Sequence, residues 1–348
     1  MGGDGLFLGI DVGGTKIAAV ALDAGPLGTP DRPGTSDRPR TPDRPRTPGA
    51  APVILERAIR PTPGGIDAII ESLVAIVADV GRDRQVSGVG VGVPGFVDLS
   101  GVARQAPNLP PIIGHDIATM LSSRIDVAVT VDNDANCAAW AAFRIDAPAA
   151  RTVVAITLGT GIGGGLIVEG RLLRGAHGFA GEPGHMIVDP DGPHCVCGQR
   201  GCWEVWASGT GLGRLARAAA EDGIAASLVR RAGGVAEIDG PLVMAAFAEG
   251  DEAAETVIRS FGRWVAIGLV NLVNLVDPDV VVLSGGIVNE GDRLVDIISE
   301  QLSGFATMSR GRTLDLRISS VGAAAGAVGA ALLAAHAANG SGRPEDDR

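Results

Sequence analysis

Short apolar blocks punctuated by glycine recur along this chain. Leu6-Phe7-Leu8-Gly9-Ile10 is apolar, Gly13-Gly14 marks a turn, and Ile17 to Leu22 is apolar again. Two apolar runs closed by a glycine pair predict a β-hairpin over 6–22. Over 66–80, Ile66, Ile69, Ile70, Leu73, Val74 and Val77 recur at the helical period and give a helix one apolar face. Val86 to Val93 reads as a buried strand. Val127 to Val131 reads as another, ending at Asp132-Asn133-Asp134, with a helix over Ala135 to Phe143. Val153 to Val168 predicts a second hairpin. A helix over about 253–276 carries Val257, Ile258, Phe261, Val265, Leu269, Leu272 and Val276, and it stops at Pro278, which cannot continue it. A strand over Val280 to Leu283 follows, then Ser284-Gly285-Gly286 and a further helix.

The two hairpins share a grammar. Gly9-Ile-Asp-Val-Gly-Gly-Thr-Lys16 and Ala155-Ile-Thr-Leu-Gly-Thr-Gly-Ile-Gly-Gly-Gly165 each run from an apolar strand through a Gly/Thr turn into a returning apolar strand. This predicts two related α/β halves, one per domain, with a cleft between them. Glycine turns of this kind point backbone N–H groups into one concave spot where an anion binds, and a Cβ would block the approach. Thr15 and Thr160 add hydroxyl donors, and Asp11 is placed to hold Mg²⁺ through water. Lys16 either offsets phosphate charge or is simply solvated. One glycine hairpin is weak evidence. Two of them, with Ser284-Gly285-Gly286 as a third turn, point to bound phosphates. The pattern is neither the P-loop nor the dinucleotide fingerprint, because the glycines lie between two strands.

Composition narrows the classes. The chain has 348 residues, 46% hydrophobic and only 3% aromatic, with 52 glycines and a formal charge of −11. That length suits two domains. The acidic balance repels nucleic-acid phosphates. Residues from about 25 to 52 carry Asp31-Arg32-Pro33, Asp37-Arg38-Pro39-Arg40-Thr41-Pro42 and Asp43-Arg44-Pro45-Arg46-Thr47-Pro48. Such proline spacing blocks helix and ladder alike, so a disordered insertion at a hairpin tip is expected, with a partner-binding arm as the alternative. The start shows no basic region followed by an apolar run, so no signal peptide is expected. Val321 to Ala338 is apolar but mostly Ala and Gly, at the short end for crossing about 30 Å of hydrocarbon. It reads as a closely packed helix, and no membrane partner is expected.

Two clusters carry candidate chemistry. Asp132-Asn133-Asp134 sits where a strand turns into a helix, and ligands in open α/β sheets sit at the carboxyl ends of strands. A phosphoryl acceptor needs a carboxylate in hydrogen-bond reach of its hydroxyl. Asp134 is that candidate, with Asn133 orienting a sugar. N-capping explains the same residues equally well. The second cluster is His185, Cys195, Cys197 and Cys202. Three thiolates and an imidazole form a closed tetrahedral set for a structural Zn²⁺. His194 competes as a ligand, and free thiols are the alternative reading. Cys137 reads as a small buried hydrophobe. Glu182 and Glu204 flank the loop, either aimed at a sugar or solvated.

Taken in order, Asp11-x-Gly-Gly-Thr-Lys16, Asn133-Asp134-Ala-Asn136, Gly159-Thr-Gly-Ile-Gly-Gly-Gly165 and Glu182-Pro-Gly-His185…Cys195-x-Cys-Gly-x-x-Gly-Cys-x-Glu204 resemble the ROK family of bacterial sugar kinases and sugar-responsive repressors. The resemblance spans about 6–335 apart from the proline-rich insert, and Cys202 to Gly209 looks most like the glucokinase branch. It implies an α/β, two-lobed, actin-like and hexokinase-like ATPase fold of duplicated ribonuclease-H-like halves with a structural zinc loop. The lobes would be 1–131 (small, with the insert at 25–52) and 132–320 (large, with the zinc loop 182–204). Residues 321–338 would form a helix packing back toward the small lobe, and 339–348 a disordered tail.

The resemblance also implies roles. Asp134 would be the general base toward the sugar 6-hydroxyl. Asn133, Glu182, His185 and Glu204 would hold the sugar, with Gly95 and Asn108 lining its pocket. Asp11, Gly13, Gly14, Thr15 and Lys16 with Gly159, Thr160 and Gly161 would cradle the phosphates of ATP and its Mg²⁺. Gly285 and Gly286 would approach the adenosine. Glucose is the expected acceptor, with N-acetylglucosamine and N-acetylmannosamine as alternatives, and polyphosphate stays open as donor. A cytoplasmic homodimer or homotetramer is expected. Family repressors carry a helix-turn-helix ahead of the first hairpin, which here begins at residue 6, so a repressor is not expected. The insert's tip should lie at the end of the strands opposite the glycine turn, so that catalysis survives its removal.

Overall fold

The structure, a computed structural model, describes residues 5–23, 52–82, 84–288, 292–305 and 314–339. In chain order the elements are β1 (Leu6–Val12), β2 (Lys16–Asp23), β3 (Val53–Pro61), α1 (Ile66–Val80), β4 (Val86–Val93), β5 (Phe96–Val97), β6 (Ala103–Gln105), α2 (Ile117–Ile125), β7 (Val129–Asn133) and α3 (Asp134–Ala141). They continue with β8 (Val153–Leu158), β9 (Ile162–Val168), β10 (Arg171–Leu172), α4 (Glu204–Ala207), α5 (Gly209–Glu221), α6 (Ala226–Ala232), α7 (Gly240–Ala248), α8 (Glu252–Val276), β11 (Val280–Ser284), α9 (Asp292–Ser303), β12 (Asp315–Ile318) and α10 (Ala325–Ala338). Two compact units emerge: the described residues of 1–151, 167–180 and 324–348 form unit 1, and those of 152–166 and 181–323 form unit 2.

Unit 1 is built on a sheet of order β3-β2-β1-β4-β7. β1 and β2 are antiparallel through the tight Gly13-Gly14 turn and β3 pairs antiparallel with β2, whereas β4 and β7 enter after helical crossovers and lie parallel to β1 and to each other. Alternation along β1 assigns its faces. Leu6, Leu8, Ile10 and Val12 join Ile69, Leu73 and Ile76 of α1 in one core. The opposite face meets α10, where any Cβ on Gly90 would collide with the Ala330 carbonyl. A sheet covered on both faces is why β1 and β4 read as near-continuous apolar runs.

Unit 2 repeats the scheme. β8 and β9 form the second hairpin, β11 lies parallel to β8, and β12 lies parallel to β11. The core gathers Ile156 and Leu158 of β8, Val281 and Leu283 of β11, Phe261, Val265 and Leu269 of α8, and the fully buried Trp203. Asp251 caps α8 by accepting from the amides of Ala253 and Ala254, both at 3.0 Å, and Asp277 ends it in the left-handed region at φ 44°. α8 is the one described helix long and apolar enough to cross a membrane; its buried residues include Val257, Ile258 and Phe261.

Several boundaries differ from the pattern reading. The strand expected over 127–131 begins at Val129 and extends through Asn133, and the next helix starts at Asp134 and gives way to a wider turn over Ala142–Asp146. The shift follows from the Asn133 side chain, which accepts the Asn136 amide at 2.9 Å and ends the strand by capping the helix. β3 was not expected, since its charged Glu56, Arg57 and Arg60 interrupt the apolar signal. The helices α2, α5, α6 and α7 were also absent from that reading. The pattern reading puts the insert at 25–52 at the tip of the first hairpin, but its flanks Asp23 and Val53 are register partners in β2 and β3. It therefore joins β2 to β3. Asp23 also pairs with Leu6, at the end of β1 away from Gly13. Residues 24–51 and 340–348, and with them the expectations of disorder, lie outside the described residues.

Candidate functional site

In unit 1 the candidate residues converge where β1, β4 and β7 end. The end of β7 and the start of α3 deliver Asp132, Asn133 and Asp134 in succession, and each carboxylate or amide is held by a defined bond. The Asn133 side chain donates to the Gly95 carbonyl at 2.9 Å and to Asp134 Oδ1 at 3.2 Å while its Oδ1 caps α3. Asp134 Oδ1 also accepts the Ala135 amide at 2.8 Å. Burial, followed by the negative charge of Asp11, pushes the Asp134 carboxyl up to about 7, against the lowering effect of its backbone bonds. Burial also raises Asp11, with Lys16 pulling the other way. A carboxylate poised near neutrality at a strand end can take a proton from a hydroxyl. N-capping is realised by Asn133, which leaves Asp134 in the first turn of α3.

The turn of the first hairpin is tied from both sides. The Gly13 amide donates to the Lys16 carbonyl at 2.9 Å, Thr62 Oγ1 donates to the Gly13 carbonyl at 2.6 Å, and the Thr62 amide to the Thr15 carbonyl at 3.0 Å. Gly14, Thr15 and Lys16 are exposed, and Gly14 rests against the main chain of the exposed Asn108. Gly95 adopts φ +93° beside Gln105. Cys137 is fully buried and its thiol is pushed up by that burial, matching its reading as a small hydrophobe.

Sequence reasoning missed Arg174. Its Nε and Nη2 lie 2.9 and 2.8 Å from Asp132 Oδ2, while Asp132 Oδ1 accepts the Asn133 amide at 2.8 Å and Asn136 Nδ2 at 3.0 Å. Asp132 and Asn136 are among the few buried polar residues of the described chain. Nothing local in sequence links position 174 to position 132.

In unit 2 the second hairpin leans on the start of α5. The Gly209 amide donates to the Gly159 carbonyl at 2.7 Å, and Thr210 Oγ1 donates to the Thr160 carbonyl at 2.9 Å. Ser208 Oγ caps α5 by accepting from Gly211 at 3.1 Å. A helix N-terminus beside a glycine turn adds positive potential where an anion would sit. Glu204 ties this hairpin to the cysteine loop. One carboxylate oxygen accepts the Ile162 amide at 3.0 Å, and the other lies 3.7 Å from Cys195 Sγ. A Cβ on Gly161 would crowd that carboxylate and push Glu204 out of its bond to Ile162. At the end of β11, Ser284 Oγ meets Thr157 Oγ1 at 2.9 Å, and Gly285 turns the chain at φ +100° beside the exposed Gly286.

The loop past Glu182 turns through Pro183–His185, with the His185 amide donating to the Glu182 carbonyl at 3.2 Å. The ligand atoms of His185, Cys195, Cys197 and Cys202 all lie within 4.8 Å of one another. Cys195 Sγ is 3.8 Å from His185 Nδ1, and Cys197 Sγ is 3.5 Å from Cys202 Sγ. Tetrahedral Zn–S bonds of about 2.3 Å place sulfurs about 3.8 Å apart, so this donor set fits the ion. His194 does not join it. Its Nε2 pairs with Arg200 at 3.0 Å, and the backbones of the two residues form a β-bridge. Bonds from the Cys195 amide to the Gln199 carbonyl at 2.8 Å and from Gly198 to the Cys195 carbonyl at 3.0 Å wrap the loop tightly.

The profile of the ROK family matches residues 51–337. A glucokinase of Streptomyces coelicolor is 34% identical over 336 residues, covering 95% of this chain and 98% of that protein. An N-acetyl-D-glucosamine kinase of Escherichia coli is 31% identical over 297 residues, covering 82% of this chain and 85% of the relative. The crystal structure of a ROK family glucokinase from Streptomyces griseus, in complex with glucose and AMPPNP, superposes with a TM-score of 0.75 at 35% identity, covering 95% of this chain and 99% of that one.

Proposed function

This chain belongs to the ROK family, and on that premise we propose that it is a kinase that transfers the γ-phosphoryl group of ATP to the 6-hydroxyl of glucose. The observation that carries the reading is Asp134, a carboxylate held at a strand end by Asn133 and raised to about 7 by burial and by Asp11. In the proposed step the sugar O6 attacks the γ-phosphorus, its proton passes to Asp134, and the bond from the γ-phosphorus to the bridging oxygen breaks, releasing ADP. Positioning and electrostatics supply most of the acceleration in such transfers.

Roles for the other residues follow from their chemistry. Asn133, Glu182, His185 and Glu204 are assigned to the sugar, with Gly95 and Asn108 beside it. Gly13, Gly14, Thr15 and Lys16, and Gly159, Thr160 and Gly161, are assigned to the phosphates. Gly285 and Gly286 are assigned to the adenosine. Asp11 would hold Mg²⁺, which neutralises charge on the phosphates when bound. His185, Cys195, Cys197 and Cys202 would hold a Zn²⁺ that shapes the loop carrying Glu204; with no open position it takes no part in the transfer.

The kinship to N-acetyl-D-glucosamine kinase favours a second reading, an acetamido sugar as acceptor. A coupled assay of ADP release across glucose, mannose, fructose, N-acetylglucosamine and N-acetylmannosamine separates the two. Glucose should show the highest kcat/KM. A clear preference for an acetamido sugar would replace the glucose assignment, and no turnover with any of them would remove the kinase reading.

A further inference from the structure

The most buried charge at the candidate site has no part in the chemistry above. Asp132 lies one residue before Asn133, and its side chain is 8% exposed. A carboxylate this enclosed needs a compensating partner. Arg174 supplies it, with both Nε and Nη2 on Oδ2, at 2.9 and 2.8 Å. The remaining oxygen is used by the Asn133 amide and by Asn136 Nδ2, at 2.8 and 3.0 Å. One oxygen therefore faces the guanidinium and the other faces the β7–α3 turn that presents Asp134.

Arg174 is itself anchored. Its carbonyl accepts the Ala180 amide at 3.0 Å, closing the segment 174–180 on itself. Phe179 packs edge-on against Phe96 of β5, with ring centroids 5.7 Å apart. Gly178, at φ +90°, sits against the Val97 and Asp98 main chain, where a Cβ would lie 2.5 Å from the Val97 carbonyl oxygen. Gly95, adjacent to Phe96, accepts the Asn133 side chain at 2.9 Å. Asn133 is thus gripped twice, through Asp132 from Arg174 and through Gly95 from the strand on which the same segment docks.

We propose that Arg174 is a positioning residue: through its ion pair with Asp132 it fixes the turn that aims Asn133 and Asp134 at the acceptor hydroxyl. The inference rests on the kinase reading of this site. Arg174 touches no reacting atom in this scheme. Its loss would let the β7–α3 turn rotate, and misplacement of a reacting group by about 1 Å costs on the order of 100-fold in rate.

The test uses the full chain and three variants. Asp132→Asn is the mild one, because its amide oxygen still accepts from Asn133 and Asn136 while the one-third exposed Arg174 regains water. Arg174→Lys keeps the charge, and Arg174→Ala opens a space that guanidinium can fill. Asp132→Asn and Arg174→Ala should lower kcat for the sugar about 10- to 100-fold with KM for ATP unchanged. Arg174→Lys should recover part of the loss, and added guanidinium chloride should raise kcat of Arg174→Ala at concentrations that leave Asp132→Asn unaffected. Should Arg174→Ala fail to fold, Asp132→Asn and Arg174→Lys decide alone. Wild-type kcat in Asp132→Asn, or a loss confined to KM for ATP, overturns the inference. Absence of turnover in the unmodified protein with every hexose overturns the kinase reading instead.

Discussion

Asp134 shows how one residue's surroundings shift a carboxyl, with expected consequences for both turnover and stability. Its carboxyl moves from 3.8 in the open chain to about 7 in the fold, through burial and the charge of Asp11. Asp134→Asn should cut turnover by about 10²- to 10⁴-fold, the span of a lost general base, while calorimetry still detects sugar binding. Because only the ionised form accepts a proton, kcat/KM should rise with pH up to and through about 7. The stability effect has the opposite sense. Between about 4 and 7 the folded chain keeps a proton that the unfolded chain has released, so this group lowers stability as pH rises, and the loss is complete above the folded value. Asp134→Asn removes that loss. It should melt higher than the parent near pH 8, and the two should converge near pH 4; equal melting at both ends would mean the carboxyl is not raised. Asn133 and Asp134 are visible in the sequence as a polar break at a strand end. Arg174 was not, because an ion pair between residues so far apart leaves no local pattern.

At the scale of elements, periodicity found what is locally consistent. The first hairpin, α1, β4, the second hairpin and α8 follow the expected runs almost residue for residue. α10 needed a different argument. It is buried nearly all round, so its alanines and glycines carry no amphipathic period. Its glycines instead mark where backbones meet: a Cβ on Gly329 would strike the Cys137 carbonyl of α3. Gly329→Val should destabilise the protein by about 1–3 kcal/mol or more through overpacking, read as a lower urea midpoint. The cysteine loop makes a second prediction at this scale. Purified protein should carry about one zinc per chain, and Cys202→Ser should lose it together with several degrees of melting temperature, since metal binding in such loops is folding energy. A metal analysis that finds none would remove the structural-zinc proposal.

For the whole molecule, the insert is the sharpest departure. Residues 24–52 join Asp23 to Val53, and Asp23 pairs with Leu6 at the end of β1 away from Gly13. Replacing them with a short Gly/Ser turn should leave kcat within about 2-fold, because a connection that leaves the strands away from the glycine turn tolerates changes of length. A folded deletion variant without turnover would assign the insert a part in the reaction. The sequence by itself determined the hairpins, the long helices, the polar break at Asp132–Asp134 and the cysteine cluster, since each depends on neighbours within a few residues or on a fixed spacing. It also carried the family, through motifs kept in order. Only the tertiary structure decided that Arg174 faces Asp132, that Glu204 joins the second hairpin to Cys195, that His185 rather than His194 completes the cluster, and that β3 closes the sheet edge. These pairings are set by the folded path of the chain and not by local pattern, and their energy comes from burial and from bonds that exist only once the chain has folded.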